Sequence, residues 1–235
     1  MGIDYTKRPA TPAPSAAPSA PAPSVPGPSA TGQKVILTKA APTVSLTKQG
    51  SAGGMMRVNL NWDARPAGGG GGLFRKAPQQ LDLDLGCLYE FADGTKGVVQ
   101  ALGNAFQASP KGVSAPVVRL DGDDRSGTNA AGENLFIDLS FAAQIKRILV
   151  FAFIYEGAAN WAAAQGIVTL YPAIGPQIEV LLDDPRDGAR ICGIAMLQGG
   201  AGDLSVRREV NYVNGGQRAL DEAYGWGMNW KAGRK

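Results

Sequence analysis

The sequence contains no histidine, and this absence removes several kinds of active site. Ser-His-Asp and Cys-His catalysis both need an imidazole base, and zinc hydrolases bind their metal largely through histidine. Cysteine is almost as scarce, because only Cys87 and Cys192 occur and their spacing matches no CxxC zinc or redox motif. Both lie among apolar residues, where no positive charge lowers the thiol pKa. We therefore expect neither a triad enzyme nor a reactive thiol.

Long apolar runs and clusters of basic residues are also missing. No run of about 18 apolar residues occurs, so the sequence predicts no membrane-spanning helix. The N-terminal residues MGIDYTKRP lack the apolar segment of a secretory signal, which favours the cytoplasm. The formal net charge is only +3 and the Lys and Arg residues are scattered, so we expect no nucleic-acid partner.

Proline is concentrated near the N-terminus. Residues 9–30 hold eight of the sixteen prolines, no charge and one large aliphatic residue, Val25. Such a segment cannot bury enough apolar surface to fold, and its composition is typical of a semi-rigid polyproline II tether. The sequence therefore predicts a disordered Pro/Ala/Ser-rich segment over residues 1–33 and one globular domain over residues 34–235.

The rest of the chain alternates in the manner of short strands. VILTK at 35–39 and VSLTK at 44–48 predict two short strands joined by a turn, and residues 56–62 predict a half-buried strand. RILVFAFIYEG at 147–157 predicts a central strand that is buried on both faces, and residues 158–166 predict a short helix. Helices of ten or more residues between strands are missing. We therefore expect an all-β fold, a β-sandwich of two mainly antiparallel sheets with one or two short helices.

The segment LDLDLGC at 81–87 places two acids on one face of a strand. Alternation puts the leucines and Cys87 on one side and Asp82 with Asp84 on the other, about 6 to 7 Å apart. Two carboxylates that close repel each other unless a cation or hydrogen-bond donors neutralise them. A hard, oxygen-liganded cation such as Ca²⁺ fits this pattern.

A second acidic segment, LDGDDRSG at 120–127, could complete such a site. Its Asp and Gly residues are equally typical of a solvated turn, since both residue types favour turns for local reasons. The paired acids of the strand, which a turn does not explain, favour a metal. The four tryptophans could form a ligand platform, but core packing explains them more simply.

The order of these motifs resembles the TerD-domain family of tellurium-resistance and stress-response proteins. The resemblance is carried by VSLTK, LNWD, LDLDLGCLYE, GDDRSG, IDLS and FIYEG, in that order, and covers residues 34–235. The stretches LGCLYEFADGTKGVVQALG and YGWGMNW are similar to the TerA-like branch of the family. The resemblance implies a β-sandwich that binds calcium through acidic loops.

The resemblance also implies which residues bind the metal. Asp82 and Asp84 match the family's DLD strand, and Gly122, Asp123, Asp124 and Gly127 match its GDNxTG loop. The family continues with a second dense run of aspartates, whereas this chain has TNAAGE, in which Asn129 and Glu133 are the oxygen donors. We expect fewer ions or weaker binding than in a full site. The predicted metal ligands are Asp82, Asp84, Asp123, Asp124, Asn129 and Glu133.

We expect a non-enzymatic, calcium-binding scaffold or binding module of a bacterial tellurite and chemical-stress resistance system. Its expected partners are other proteins of that gene cluster, including a membrane-associated complex, and its expected place is the cytoplasm or the inner membrane face. Two alternatives stay open. Clustered acids could hold two cations in a metal-dependent phosphoesterase, or could bridge through calcium to anionic lipid as a membrane-surface module.

Overall fold

The computed structural model describes residues 34–62, 81–121, 132–158, 160–200 and 202–230. The predicted tether at residues 1–33 lies outside the described residues, so its disorder and the domain boundary at residue 34 stay predictions. The strands are β1 Lys34–Ile36, β2 Thr43–Ser45, β3 Met55–Asn61, β4 Asp82–Phe91, β5 Lys96–Val99, β6 Gln107–Ala108, β7 Val118–Leu120, β8 Glu133–Asp138, β9 Ile145–Glu156, β10 Gly166–Tyr171, β11 Gln177–Leu182, β12 Ile191–Gly200 and β13 Asp203–Val213. The helices are α1 Trp161–Ala164 and α2 Gln217–Tyr224, and the segments Leu102–Asn104 and Leu139–Gln144 form 3₁₀ turns.

The described strands form two sheets. The seven-stranded sheet has the order β1-β11-β10-β3-β8-β7-β6, and the six-stranded sheet has the order β2-β13-β12-β9-β4-β5. All of these pairings are antiparallel except that of β1 with β11, which is parallel. The predicted sandwich of two mainly antiparallel sheets with short helices is confirmed.

The main core lies where the inner faces of the two sheets meet. The predicted alternation holds in β3, where Val58 and Leu60 are fully buried, and in β4, where Leu83 and Leu85 are fully buried. Because side chains alternate along a strand, these residues fill the core while their neighbours face outward. This alternation sets the direction in which every candidate ligand points.

The two repeated N-terminal segments form strands, but the strands do not pair with each other. β1 pairs with β11 in one sheet, and β2 pairs with β13 in the other. Leu37 and Leu46, which follow the two strands, are both buried in the main core. A hairpin would place the two strands in one sheet. Instead each strand is the terminal strand of a different sheet, and each is followed by a leucine that is buried in the shared core.

The predicted helix after the central strand is shorter than expected. α1 spans only Trp161–Ala164 of the predicted 158–166, and it is Gln165 that ends it in the left-handed conformation. Gly166 instead begins β10, where a Cβ atom would lie 3.3 Å from Leu182. The Asn160 side chain caps the helix by accepting a hydrogen bond of 2.9 Å from the Ala163 N–H.

A second apolar cluster covers the outer face of the six-stranded sheet. Leu88, Leu149 and Phe151 on that face contact Leu220 of α2 and Trp226, which follows α2. The Trp226 indole N–H donates to the Tyr89 carbonyl oxygen at 3.0 Å. The central strand β9 is therefore buried on both faces, as predicted, and the aromatic C-terminal segment is its outer cover.

None of the helices in the described ranges is both long enough and apolar enough to cross a bilayer.

Candidate functional site

The two acids of β4 lie on the face that points away from the main core. Asp84 is only 6% exposed, while Asp82 at the strand end is more exposed. Asp82 is the register partner of Glu156 on β9, and Tyr155 forms a bulge between this pair and the next one. This strand end therefore concentrates negative charge. Like charges in opposing positions of a sheet are destabilising. Glu156 was missed by the sequence reasoning because only the strand register brings it to Asp82.

Glu133 reaches β4 from the other sheet. It is the first residue of β8 and pairs with the inward-facing Leu60, so its side chain enters the space between the sheets. The side chain is buried, and its Oε2 atom accepts a hydrogen bond of 2.6 Å from the Leu85 backbone N–H. Glu133 therefore contacts Leu85, the residue that follows Asp84, although Glu133 and Asp84 are far apart in sequence.

Asp121, near the start of the second acidic segment, is hydrogen-bonded to Asn134 on β8. The Asp121 N–H donates to the Asn134 carbonyl at 3.0 Å, and the Asp121 carboxylate accepts from the Asn134 N–H at 3.1 Å and from its amide at 2.8 Å. Gly132 adopts a φ of 68°, and a Cβ atom there would lie 2.1 Å from the Leu60 carbonyl oxygen. A side chain at this position would clash with β3, which explains why glycine leads the chain back to Glu133.

Three of the six predicted metal ligands are in the described residues: Asp82 and Asp84 lie on the outer face of β4, whereas Glu133 reaches the same end of β4 from its inner side. The other three, Asp123, Asp124 and Asn129, lie outside the described residues, as do Gly122 and Gly127. Within the described ranges alone, no group of three or more acidic, histidine or cysteine side chains is arranged to hold a metal ion. The complete predicted ligand set stays a prediction.

The two thiols are in the core. Cys87 and Cys192 are free and fully buried. Burial raises the pKa of Cys87 to about 12 and raises the pKa of Cys192 as well. A thiol that stays protonated and inaccessible is a poor nucleophile, as the sequence predicted.

The tryptophans serve the packing of the domain. Trp161 is fully buried, and its indole N–H donates to the Ala189 carbonyl at 2.7 Å. Trp62 packs against the main core and Trp230 packs against the outer cluster. The core interpretation of these residues is confirmed.

A groove of about 510 Å³ lies beside β5 and the C-terminal residues 227–230. Its walls include Val98, Leu102, Met228 and Trp230, and the Lys96 ammonium group donates to the Trp226 carbonyl at 2.5 Å. Among the described residues, its lining includes no carboxylate, thiol or hydroxyl side chain. The groove therefore offers no nucleophile and base of the kind that hydrolysis requires.

Known proteins that are similar to this chain include a curated relative and a solved structure. No family model matches the chain. The chain is 42% identical over 204 residues to the tellurium resistance protein TerA of Alcaligenes sp., a match that covers 86% of this chain and 58% of that protein. The chain thus spans little more than half the length of this curated relative. The crystal structure of a homologue of telluride resistance protein (TerD) from Streptomyces coelicolor A3(2) matches with a TM-score of 0.49 and 21% identity, over 72% of this chain and 94% of that chain.

Proposed function

The chain belongs to the family of tellurium resistance proteins that includes TerA, and from this premise we propose that it is a non-enzymatic, calcium-binding β-sandwich module of a bacterial tellurite-resistance system. It acts by binding or scaffolding other proteins. The relative's name supports the resistance role, and the match over 86% of this chain supports its transfer to this domain.

The observation that carries the calcium proposal is the hydrogen bond between Glu133 and the Leu85 N–H. It joins Glu133, the first residue of β8 and a predicted ligand, to the strand that bears Asp82 and Asp84. These groups are carboxylates, the hard oxygen donors that Ca²⁺ prefers, so the donor set fits this ion. The ion would supply charge neutralisation at a strand end that otherwise gathers several carboxylates.

The proposed affinity is modest. One of the donors, Glu133, already accepts a backbone hydrogen bond, and Asp121 is engaged with Asn134. Calcium affinity rises with the number of charged ligands and with the rigidity of the site. We therefore propose weaker binding, or fewer ions, than a site with a second dense run of aspartates would give.

The proposal of a non-enzymatic role has two supports. The chain has no histidine to act as a general base, and both thiols are buried with raised pKa values. The groove beside β5 adds no polar pair that could activate water. The alternative of a phosphoesterase would need such a pair or a bound pair of metals.

The proposed compartment is the cytoplasm, with a peripheral position at the inner membrane face as the alternative. Two free thiols are compatible with a reducing compartment. The proposed partners are other proteins of the tellurium-resistance cluster, including a membrane-associated complex.

Calorimetric titration of the purified protein with calcium tests the central proposal. The wild-type protein is compared with an Asp82→Asn, Asp84→Asn double variant and with an Asp93→Asn, Glu222→Gln control. The control removes the same charge from exposed positions near the opposite end of β4 and on α2. We expect the heat of calcium binding to vanish or the affinity to fall about tenfold or more in the first variant alone. Equal heats for all three proteins would refute the calcium site.

Two further assays separate the alternatives. A phosphoesterase screen with manganese, magnesium and calcium should show no turnover, and turnover that depends on Asp82 or Asp84 would favour the enzyme. Co-sedimentation with anionic liposomes should be independent of calcium. Calcium-dependent sedimentation would favour the membrane-surface module.

A further inference from the structure

The outer face of the seven-stranded sheet carries an alternating row of arginine and aromatic side chains. Tyr171 on β10 is the register partner of Arg57 on β3, Arg57 is the partner of Phe136 on β8, and Phe136 is the partner of Arg119 on β7. Their neighbours along the strands face the core and are fully buried: Leu170, Val58, Leu135, Ile137 and Val118. Alternation therefore directs the four side chains outward. We call these four residues the arginine–aromatic row.

Each guanidinium group in the arginine–aromatic row is held against a ring. The Arg57 guanidinium lies 4.2 Å from the centre of the Tyr171 ring, and the Arg119 guanidinium lies 4.2 Å from that of Phe136. The Arg57 Nη1 also donates to the Asn134 Oδ1 at 3.3 Å. Stacking of this kind orients a guanidinium group without using its outer N–H donors.

Several other basic residues of the sheets are paired with carboxylates. Lys34 is paired with Glu179, Arg147 with Glu90 and Arg207 with Glu209. In the part of the chain that the structure describes, neither Arg57 nor Arg119 makes an ion pair with a carboxylate. Among the described residues, their positive charge is therefore oriented by the rings but not paired directly with a carboxylate.

The spacing of the two charges sets the ligand. β3 and β7 are separated by one strand, so the two Cα atoms lie about 10 Å apart. Residues i and i+7 on one face of an α-helix rise by about the same distance. Each guanidinium group leans one strand toward β10, Arg57 over Tyr171 and Arg119 over Phe136, so the spacing of the two charges stays near that of the Cα atoms. This spacing matches two carboxylates on such a helix.

We propose that the arginine–aromatic row binds an acidic segment of a partner protein, with carboxylates about 10 Å apart. Charge complementarity favours an anionic ligand, and the acids on the same face limit its size. Glu179 and Asp138 lie two residues from the row and Asp121 follows β7, so a continuous polyphosphate would meet them, whereas a protein segment with two spaced carboxylates fits between them. Each ring already has one face covered by a guanidinium group, which leaves little surface on which a base could stack.

The test is an NMR titration of the full chain, read at the Nε–H resonances of Arg57 and Arg119. The probe is an alanine-rich helical peptide of about 20 residues with glutamate at every seventh position. The control peptide carries glutamine at the same positions. A single-stranded oligothymidine and inorganic polyphosphate are titrated in parallel.

Two double variants provide the protein controls. Arg57→Gln with Arg119→Gln removes the row, and Arg207→Gln with Arg208→Gln removes the same charge from β13. An Arg57→Lys, Arg119→Lys variant keeps the charge but loses the planar stacked donors. Circular dichroism establishes that each variant is folded.

We expect the glutamate peptide to shift both resonances, and its affinity to fall about tenfold or more in the first variant but not in the β13 variant. The lysine variant should bind several-fold more weakly than the wild type. Three results would overturn the proposal: no shift of the two resonances, equal losses in the two glutamine variants, or tighter binding of oligothymidine or polyphosphate than of the peptide.

Discussion

The Oε2 atom of Glu133 accepts a hydrogen bond of 2.6 Å from the backbone N–H of Leu85, which joins the two sheets beside the acidic end of β4. β5 pairs with β4 only from Cys87 to Glu90, so Leu85 lies beyond the part of the edge that a neighbouring strand covers. Glu133 is buried and supplies the acceptor that β5 does not reach. Glu133 thus supplies the acceptor at the uncovered edge of β4, at the residue that follows the candidate calcium ligand Asp84.

The first prediction separates these two roles of Glu133. Glu133→Ala leaves the buried Leu85 N–H without its acceptor, and we expect it to lower the free energy of unfolding by about 1–3 kcal/mol. Glu133→Gln retains an oxygen that can accept the hydrogen bond, so its loss should be smaller. Urea denaturation in the presence of a chelator measures both.

The same pair of variants is then titrated with calcium. If Glu133 is a ligand, Glu133→Gln weakens calcium binding because the charge is lost, although the fold is kept. Unchanged calcium affinity in the glutamine variant would mean that Glu133 is structural only. Equal losses of stability in Glu133→Ala and Glu133→Gln would instead show that the hydrogen bond to the Leu85 N–H does not account for the contribution of Glu133.

The second prediction concerns Asp221, which holds the C-terminal cover on the six-stranded sheet. Its carboxylate accepts from the Gly227 N–H at 2.6 Å, the Met228 N–H at 2.9 Å and the Trp230 indole N–H at 2.7 Å, and Asp221 is itself buried. Asp221→Ala removes all three acceptors at once. We expect a loss of about 2 kcal/mol or more, since each buried donor left without a partner is costly.

Urea denaturation with tryptophan fluorescence checks this prediction, because Trp226 and Trp230 lie in the cover. The emission of the native Asp221→Ala protein should shift to the red as these rings become more exposed to water. Glu222→Ala is the control, since Glu222 is the next residue of α2 and is exposed. Similar losses of stability in both variants would show that the substitutions weaken α2 itself and do not act through the hydrogen bonds of the Asp221 carboxylate.

The third prediction is a pH dependence centred on Glu90. Burial alone would raise the pKa of this carboxyl, but hydrogen bonds from Lys146 and Arg147, each at 2.6 Å, together with their charges, hold the pKa below its ordinary value of 4.5. A lowered folded-state pKa means that the ionised group stabilises the fold above pH 4.5. This stabilisation is lost as the pH falls through the folded-state pKa.

Denaturation of the wild type and of Glu90→Gln from pH 7 downward measures the effect. At pH 7 the variant should be less stable by about 1 kcal/mol, because Lys146 is largely exposed and screened. The difference should shrink as the pH falls below 4.5. A stability difference that stays constant over this range would mean that Glu90 stabilises the fold through packing and not through its charge.

Much of the architecture could be predicted from local patterns. The alternation in β4 and the apolar run of β9 each determine which faces are buried, because side-chain direction follows from the strand itself. The hydrogen bond between Glu133 and Leu85 could not be predicted, since the two residues lie in different sheets and no periodicity connects them. The same holds for the separation of the two N-terminal repeats, where the burial of Leu37 and Leu46 decides against a hairpin.

The arginine–aromatic row shows the same limit. Alternation in β3 predicts that Arg57 faces away from the core, but its alignment with Phe136 depends on the register of β3 against β8. Register is set by packing over the whole sheet, and one residue of slip would exchange the two faces. Sequence patterns therefore predict faces well and cross-strand partners poorly.

The fourth prediction concerns the two thiols, which the sequence predicts to be unreactive. Cys87 and Cys192 are buried, and burial raises the pKa of Cys87 to about 12 and that of Cys192 as well, so almost no thiolate exists at neutral pH. We expect a thiol reagent to label the native protein far more slowly than the unfolded protein, in which both cysteines should react. The measurement is the time course of labelling at pH 8 with and without denaturant, and the Cys87→Ala and Cys192→Ala variants assign each phase.

Buried thiols react only when the domain opens, so the labelling rate of the native protein should rise as the domain is destabilised, for example in Asp221→Ala. Rapid labelling of the native wild type, or a native labelling rate that does not change with the stability of the domain, would show that the cysteines are reactive in the folded protein.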